Sequence, residues 1–359
     1  LTPWREIWHP KTGVSGSVSG MSLRVGFLGA GLIATFHSKM LRRSGEDFVR
    51  AGVYDPDAGR TDAFARASGQ VACRSEEEVL DTCDAVYVCT WTSEHPRLVE
   101  AAAARGLAIF CEKPLATSLS GARAMAATVQ AAQVPNQVGL ILRRSPAFTM
   151  LGELAHGDDA GRVMSIVFRD DQFIPVRGHY GSTWRGEIDK VGAGALLEHS
   201  IHDVDVIEHM LGPVTDVSAR SAEFHHLTGI EDVVVATMGF ESGAIGSLTS
   251  VWHDIDSRGS LRRVEVFCER MLLTLEGDDW FGPIRWVRDD GTEGELGGEE
   301  LHAAAAAVQG HDLNPDGAFL RAVRDAKPCT PDFTAAVRAH EVTEAMYASA
   351  RASGAPVAV

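Results

Sequence analysis

Two short stretches of this chain carry residue types suited to moving a proton and steadying a negative charge. The first is Cys111-Glu112-Lys113-Pro114. A lysine that ends an apolar run and precedes a proline has a fixed exit and can aim its ammonium into a cleft. A positive charge there stabilises an alkoxide or lowers the pKa of a bound hydroxyl. A solvated lysine at a strand end is the competing reading, and Glu112 could orient its neighbours as readily as do chemistry. The second stretch runs from Gly192 to Asp205 and contains Glu198, His199 and His202. In a helix, Glu198 and His202 share a face at i and i+4, and Asp205 lies one turn beyond. A carboxylate beside an imidazole fixes its tautomer and raises its basicity, so His202 is a candidate general base with Glu198 and Asp205 tuning it. A metal held by His199, His202 and Asp205 is the rival. Zinc helices place histidines at i and i+4, whereas these stand at i and i+3, so no metal is expected.

A third pattern could hold a cofactor. Leu23-Arg-Val-Gly-Phe-Leu is a short apolar run leading straight into Gly29-Ala-Gly31-Leu32-Ile33-Ala34, after which the periodicity becomes helical. Gly29 permits a tight strand-to-helix turn, and Gly31 has no Cβ to keep a pyrophosphate from the backbone. Small Ala34 lets the helix lie close to a sheet, its N-terminal N–H groups facing the phosphates. Leu32 and Ile33 fall at the same turn and are assigned to the cofactor with it. Asp55 ends the next apolar run, where a carboxylate would accept from ribose hydroxyls and repel a 2′-phosphate. NAD is therefore favoured over NADP, although Asp55-Pro56 also reads as a turn initiator and Arg60 is a residue that a 2′-phosphate would want. Thr90-Trp91-Thr92-Ser93-Glu94-His95 follows another apolar run. Ligands in open α/β sheets bind beyond the carboxyl ends of strands, so Thr90, Trp91, Thr92 and His95 join the cofactor candidates. A capping or surface role for His95 stays open.

The elements that must position these residues alternate at first. Strands are expected at 23–28, 49–54, 70–73, 85–90, 107–111 and 137–142, with helices near 32–44, 57–68, 75–81, 94–105 and 118–132. Ser93 or Thr92 would cap the fourth helix. Strands alternating with helices of this length imply βαβ units and a doubly wound parallel sheet. After Pro146 the texture changes. A helix near 148–156 and a strand over 162–173 precede a helical segment at 193–211. A run of strands follows at 215–226, 231–240, 243–253, 260–268, 271–276 and 283–288, and helices at 315–325 and 331–352 close the chain. Consecutive strands without intervening helices imply an antiparallel sheet. The expected organisation is a flexible N-terminal extension over 1–20, a Rossmann domain over 21–142, and an α+β domain with an open, mainly antiparallel sheet over 143–359.

With 359 residues, two domains are expected. A formal charge of −16 argues against nucleic acid and anionic membrane surfaces. No apolar run is long enough to span a bilayer. The first 20 residues lack the charged start and apolar heart of a signal peptide. Six cysteines show neither a C-x-x-C pair nor zinc spacing, and two sit in apolar runs, which fits a reducing cytoplasm.

Taken together, these motifs resemble the Gfo/Idh/MocA family of oxidoreductases (glucose–fructose oxidoreductase, inositol dehydrogenase and rhizopine catabolism) over nearly all of residues 22–359. The resemblance rests on the G-x-G-x-x-A turn, Glu112-Lys113-Pro114 at the E-K-P position, and Leu142-Arg-Arg-Ser-Pro146 at the domain-joining R-x-x-P segment. It rests also on Trp184-Arg185 ahead of the G-G-G-A-L-x-D-x-G-x-H-x-x-D stretch, here Gly192 to Asp205, and on the closing helix with Gly354-Ala-Pro-Val357. It implies an NAD(P)-dependent oxidoreductase acting on a sugar, inositol or related polyol. Lys113 would match the catalytic lysine and His202 the catalytic histidine, converging on one carbon beside the nicotinamide. It also implies a cis bond before Pro114 and a homodimer or homotetramer formed through the exposed face of the antiparallel sheet. Glu112, Lys113 and Arg185 are assigned to the cofactor, and Arg144, Tyr180 and Trp184 to the substrate with Lys113 and His202. Arg143, Arg177, His179 and Lys190 could also reach that side. The chain departs from the pattern at Glu198, where aspartate is common, at Trp91 in place of proline, and at Ala193 in place of the middle glycine. Two alternatives within the family are a glycosidase that oxidises and re-reduces its sugar on a retained NAD, and a nucleotide-sensing regulator without catalysis.

Overall fold

The computed structural model describes residues 22–178, 180–257, 259–310 and 313–359. The extension over 1–20 and His179 lie outside these residues. The chain forms two compact units, the first reaching to Leu140 and including Asn314–Val337, the second made of Ile141–Leu313 and Arg338–Val359. Chain order alone had kept 143–359 together; the structure returns 314–337 to the first unit.

In the first unit, β1 (Leu23–Leu28), β2 (Phe48–Tyr54), β3 (Ala85–Val88), β4 (Ala108–Cys111) and β5 (Asn136–Val138) form a wholly parallel sheet in the order β2-β1-β3-β4-β5. The crossover helices are α1 (Leu32–Arg43), α2 (Ala58–Ser68), α3 (Glu76–Thr82), α4 (His95–Ala103) and α5 (Leu119–Ala132). Every residue of β3 and β4 is buried, as a strand covered on both faces requires. Phe27, Tyr87 and Phe110 stack across three neighbouring strands, with ring centroids 4.9 and 4.7 Å apart. Asp57, Ser75 and Ser118 cap α2, α3 and α5 with their side chains.

Three expected boundaries differ. Residues 70–73 form only one bridge, Val53 to Ala72, because Gly69 ends α2 and Ser75 starts α3, leaving no length for a strand. The strand expected over 137–142 stops at Val138, and Ile141–Arg144 winds into a 3-10 turn. A 3-10 turn over Thr92–Glu94 precedes α4, so neither Ser93 nor Thr92 caps it; Glu94 takes the cap position without a side-chain bond.

In the second unit, α6 (Pro146–Ala155) is capped by Ser145 and leads into β6 (Val163–Phe173). After α7 (Ile188–Val191), a π-helical turn over Ala195–Ser200 runs into α8 (Ile201–Leu211). The strands β7 (Val214–Ala222), β8 (Val233–Phe240), β9 (Ile245–His253), β10 (Leu261–Cys268), β11 (Met271–Asp278), β12 (Gly282–Arg288) and β13 (Glu293–Leu296) follow. Then come α9 (Gly298–Gln309), α10 (Pro315–Arg324), α11 (Phe333–Arg351) and the short β14 (Val357–Ala358). The sheet order is β13-β12-β11-β10-β6-β9-β8-β7-β14, antiparallel throughout except where β6 pairs with β9. Its inner face carries Phe168, Leu248 and Val264 against α6 and α8, and its outer face exposes Val167, Val235, Ile245 and Phe267. Helix α10 belongs to the first unit. Its Phe319, Leu320 and Val323 join the core under β1, β3 and β4. Among the described residues no helix is long and apolar enough to cross a membrane.

Gly29 marks where β1 gives way to α1. It has φ +91°, and a Cβ there would lie 2.4 Å from the carbonyl oxygen of Cys89. Gly29→Ala therefore combines a backbone conformation disfavoured for an L side chain with a clash against backbone that cannot move cheaply. A stability loss of about 2–4 kcal/mol is expected, with NAD affinity falling at least tenfold. Thermal melts and nucleotide titration of the variant measure both; unchanged values would mean that the turn neither requires glycine nor holds the dinucleotide.

Candidate active site

The glycine turn is built from the chain's own strand ends. Gly29 N–H donates to Tyr54 C=O at 2.8 Å, fixing the end of β1 against the end of β2. Ala34 is fully buried, which seats the first turn of α1 close to the sheet. Gly31 occupies the cap position of α1; no described side chain caps it, and the first turn contains no acid. A Cβ on Gly31 would meet nothing within 4 Å. Leu32, at the first helical position, is 76% exposed. An uncapped helix N-terminus beside open backbone suits an anion, so the turn fits the pyrophosphate of a dinucleotide. Asp55 lies at the same place. Its Oδ2 accepts from Ala30 N–H at 2.9 Å inside the glycine turn, and its Oδ1 accepts from Asp57 N–H at 2.9 Å. Each oxygen retains a second lone pair for a ribose hydroxyl. Arg60 is turned toward Asp57, 3.7 Å away.

Beyond β3 the expected candidates separate. Thr90 backbone lies against Gly29, and Trp91 is 40% exposed. Thr92 and His95 are buried, each 1% exposed. His95 Nδ1 stands 3.1 Å from Pro114 C=O and Nε2 3.4 Å from Thr90 C=O. Burial pushes its pKa down, so the ring is neutral and has one N–H to donate. The imidazole thus braces two strand ends against each other, a structural position that neither reading from the sequence had described.

At the end of β4 the Lys113–Pro114 bond is cis, as the resemblance implied. Glu112 is buried. Its Oε2 accepts from Lys113 N–H at 3.1 Å, and its Oε1 accepts from His37 Nε2 at 2.7 Å. Gly139 has to be glycine for this, since a Cβ would sit 2.3 Å from Glu112 Oε1. The other ring nitrogen of His37 donates to Asp316 Oδ1 at 2.8 Å. Burial would push the His37 pKa down, but Asp316 and Glu112 overcome it and hold the pKa up at about 10. The ring is an imidazolium donating from both nitrogens. His37 and Asp316 went unnoticed in the sequence; the only local signal was a polar residue on the sheet-facing side of α1.

In the second unit, the segment carrying His202 is held by a residue that the sequence reading also missed. Glu231 is buried and accepts from Gly194 N–H at 2.7 Å, Leu196 N–H at 2.9 Å and Tyr347 O–H at 2.8 Å. Burial raises its pKa, which these donors oppose. The helix expected over 193–211 opens with a π-helical turn over Ala195–Ser200, a winding frequent at functional sites. Glu198 accepts from Arg185 Nε at 2.7 Å, and the guanidinium of Arg185 stacks over Trp184 with its carbon 4.6 Å from the ring centre. Asp205, expected to tune His202, turns both oxygens to Arg143, at 2.8 and 2.6 Å. A forked guanidinium matches a carboxylate with two parallel bonds, which fixes that choice. Asp203 is fully buried. Its pKa is raised by burial to about 7, with the Arg262 guanidinium opposing. Arg262 also reaches Asp170 and Asp279, and His199 Nε2 lies 2.6 Å from Asp170. Of the other substrate-side candidates, Tyr180 O–H accepts from Gln172 at 3.4 Å, Lys190 pairs with Glu187 at 2.8 Å and Arg177 pairs with Asp254. Arg144 is half-buried on the 3-10 turn after β5. Among the described residues no group of three or more His, Cys, Asp and Glu side chains is placed to hold a metal.

Comparison with known proteins fits this geometry. Residues 23–140 match the profile of an oxidoreductase family with an NAD-binding Rossmann fold, and residues 148–274 match the GFO/IDH/MocA C-terminal domain. The chain is 33% identical over 281 residues to a scyllo-inositol 2-dehydrogenase (NAD(+)) of Bacillus subtilis, covering 73% of this chain and 75% of that protein. It is 28% identical to a myo-inositol 2-dehydrogenase of Thermotoga maritima, covering 68% and 72%. A levoglucosan dehydrogenase solved with NADH and levoglucosan shares the fold, with a TM-score of 0.81 at 20% identity over 94% of this chain and 99% of that one.

Gly194 yields the test of this framework. A Cβ there would lie 1.8 Å from the carbonyl oxygen of Glu231, closer than any rearrangement of a side chain can relieve. Gly194→Ala is expected to cost about 3 kcal/mol or more, whereas Ala193→Gly should change stability by about 1 kcal/mol or less. Equal melting temperatures for the two variants would contradict the Glu231 clamp.

Proposed function

The chain belongs to the Gfo/Idh/MocA family of NAD-binding oxidoreductases, and on that basis we propose that it transfers a hydride between a secondary alcohol of a sugar, inositol or related polyol and nicotinamide. The observation that carries this reading is the sharing of one sheet edge. An uncapped helix N-terminus with open backbone at Gly31 stands at the end of β1, and Lys113 stands at the end of β4, two strands away on the same carboxyl side. The bound nicotinamide supplies the electron chemistry. Gly29, Gly31, Leu32, Ile33 and Asp55 hold the dinucleotide, with Thr90, Trp91 and Arg185 contributing nearer the ring. His202 takes the hydroxyl proton as general base, and Lys113 stabilises the developing alkoxide. Glu198 orients this machinery through Arg185. Arg144, Tyr180 and Trp184 meet the polyhydroxyl substrate, whose buried hydroxyls each need a partner. Copies associate as a dimer or tetramer through the outer face of the second sheet, where Val167, Val235, Ile245 and Phe267 are exposed.

Lys113→Ala and His202→Ala should each lower kcat by about 10²–10⁴-fold while leaving the Kd for NAD within threefold. The assay is NADH absorbance on a panel of inositols, sugars and simple glycosides, and near-normal turnover in either variant would remove that residue from the mechanism. Glycoside cleavage without net NADH would favour the glycosidase alternative. For the cofactor, Asp55→Ala should lower the ratio of NAD to NADP affinity about tenfold or more; an unchanged ratio would reduce Asp55 to a brace of the glycine turn.

A further inference from the structure

We propose that His37 is a positioning residue for the Lys113 ammonium: by holding the buried Glu112 carboxylate in a charged hydrogen bond, it keeps that anion from claiming the lysine. The inference rests on the reading of Lys113 as the group that stabilises the alkoxide.

The geometry is confined to the first unit and is closed on every side. His37 projects from α1 with no exposed surface, and the rings of Phe36, Tyr87 and Phe110 lie 5.4, 5.6 and 4.7 Å away. The charged groups facing it are Glu112 at the end of β4 and Asp316 in the first turn of α10. The neighbouring titratable groups are Tyr87, Cys89, Cys111 and His95. Burial first of all holds the tyrosine and both thiols in their neutral forms, and the histidine is neutral for the same reason. Asp316 has a second source of stabilisation in the N-terminal end of α10, whose dipole favours an anion. Glu112 has no helix end. It is satisfied by His37 and by the Lys113 backbone N–H, and the Lys113 charge acts on it as well.

A carboxylate in low dielectric needs a cation, several hydrogen-bond donors or a proton, and without His37 the partner left to Glu112 is the Lys113 backbone N–H. With His37 replaced by a neutral side chain, the nearest remaining cation is Lys113, attached to the next residue on a flexible four-carbon stem. A lysine drawn to Glu112 has less charge to offer a developing alkoxide. The imidazolium therefore separates two roles that one short segment would otherwise confuse: Glu112 anchors the backbone of Lys113 without neutralising its side chain.

The test compares kcat–pH profiles of the full-length enzyme and of His37→Gln, His37→Gln/Glu112→Gln and Lys113→Ala, using a substrate found in the panel above. His37→Gln should lower kcat tenfold or more near neutral pH at an NAD Kd within threefold. Relative to the wild-type enzyme at the same pH, its kcat should recover as the pH falls, because protonation of Glu112 removes the competing anion. Adding Glu112→Gln should raise kcat at least threefold over the single variant and abolish that recovery. A purely structural His37 would lower the melting temperature without a new titration and without rescue, and that result overturns the proposal. Should Lys113→Ala retain normal turnover, the lysine reading itself fails, a distinguishable outcome. Imidazole nitrogen shifts of the wild-type protein need no variant. His37 should stay doubly protonated from pH 6 to 9, and a neutral ring in that range also overturns the proposal.

Discussion

A carboxylate withdrawn from water must be matched, and in this protein the matches determine where the candidate functional segments stand. An unmatched buried anion costs several kcal/mol even after relaxation, a large part of the stability of any domain. Glu112 is matched by His37 and a backbone N–H, Glu231 by two backbone N–H groups and Tyr347, Glu198 by Arg185, and Asp205 by Arg143. Arg262 serves Asp170, Asp203 and Asp279, and His199 also lies against Asp170. Most of these bonds join residues far apart in the chain, so each carboxylate acts as a register pin. Removing a partner disturbs the segment it pins, which is why residues without a direct chemical role are found beside those with one.

Much of the architecture was legible because it follows from local rules. Strands separated by helices favour parallel pairing, and strands that follow one another directly favour antiparallel pairing. The glycine turn was readable because Gly29, Gly31 and Ala34 have separate steric reasons within six residues. Where the reading failed, the deciding contact was remote. Nothing near residue 195 indicates that the Glu231 carboxylate will take the backbone N–H groups of Gly194 and Leu196, or that the helix will open with a π-turn. Asp205 reads as a partner for His202 by spacing, yet a forked guanidinium from the stretch after β5 offers two bonds where an imidazole offers one. Elements β13 and α9 were missed for a different reason. The strand is a charged edge with no apolar alternation, and the helix is a run of alanines that buries little besides Leu301 and Ala305.

The return of residues 314–337 to the first unit is the largest departure, and it bears on chemistry. Helix α10 is strongly amphipathic and shows plainly that it must pack on something. Its sequence does not say which sheet. The structure answers with Phe319 against Tyr87 and Phe110 and with Asp316 on His37. The charge state of a residue near the start of the chain thus depends on a helix close to its end. A boundary drawn by chain order would cut that pair apart.

At each glycine the surroundings show what, if anything, forbids a side chain. At Gly29 the neighbouring strand forbids it, and at Gly194 the backbone of Glu231 does, so both are required by the fold itself. Gly31 differs. Its φ of −80° suits any residue, and a Cβ there would touch nothing in the protein. No intramolecular contact accounts for a glycine at that position. What does account for it is a partner that must approach the backbone more closely than a methyl group allows, at the positive end of a helix without a side-chain cap. That combination suits a diphosphate, and it makes Gly31, a glycine that folding does not require, informative about binding.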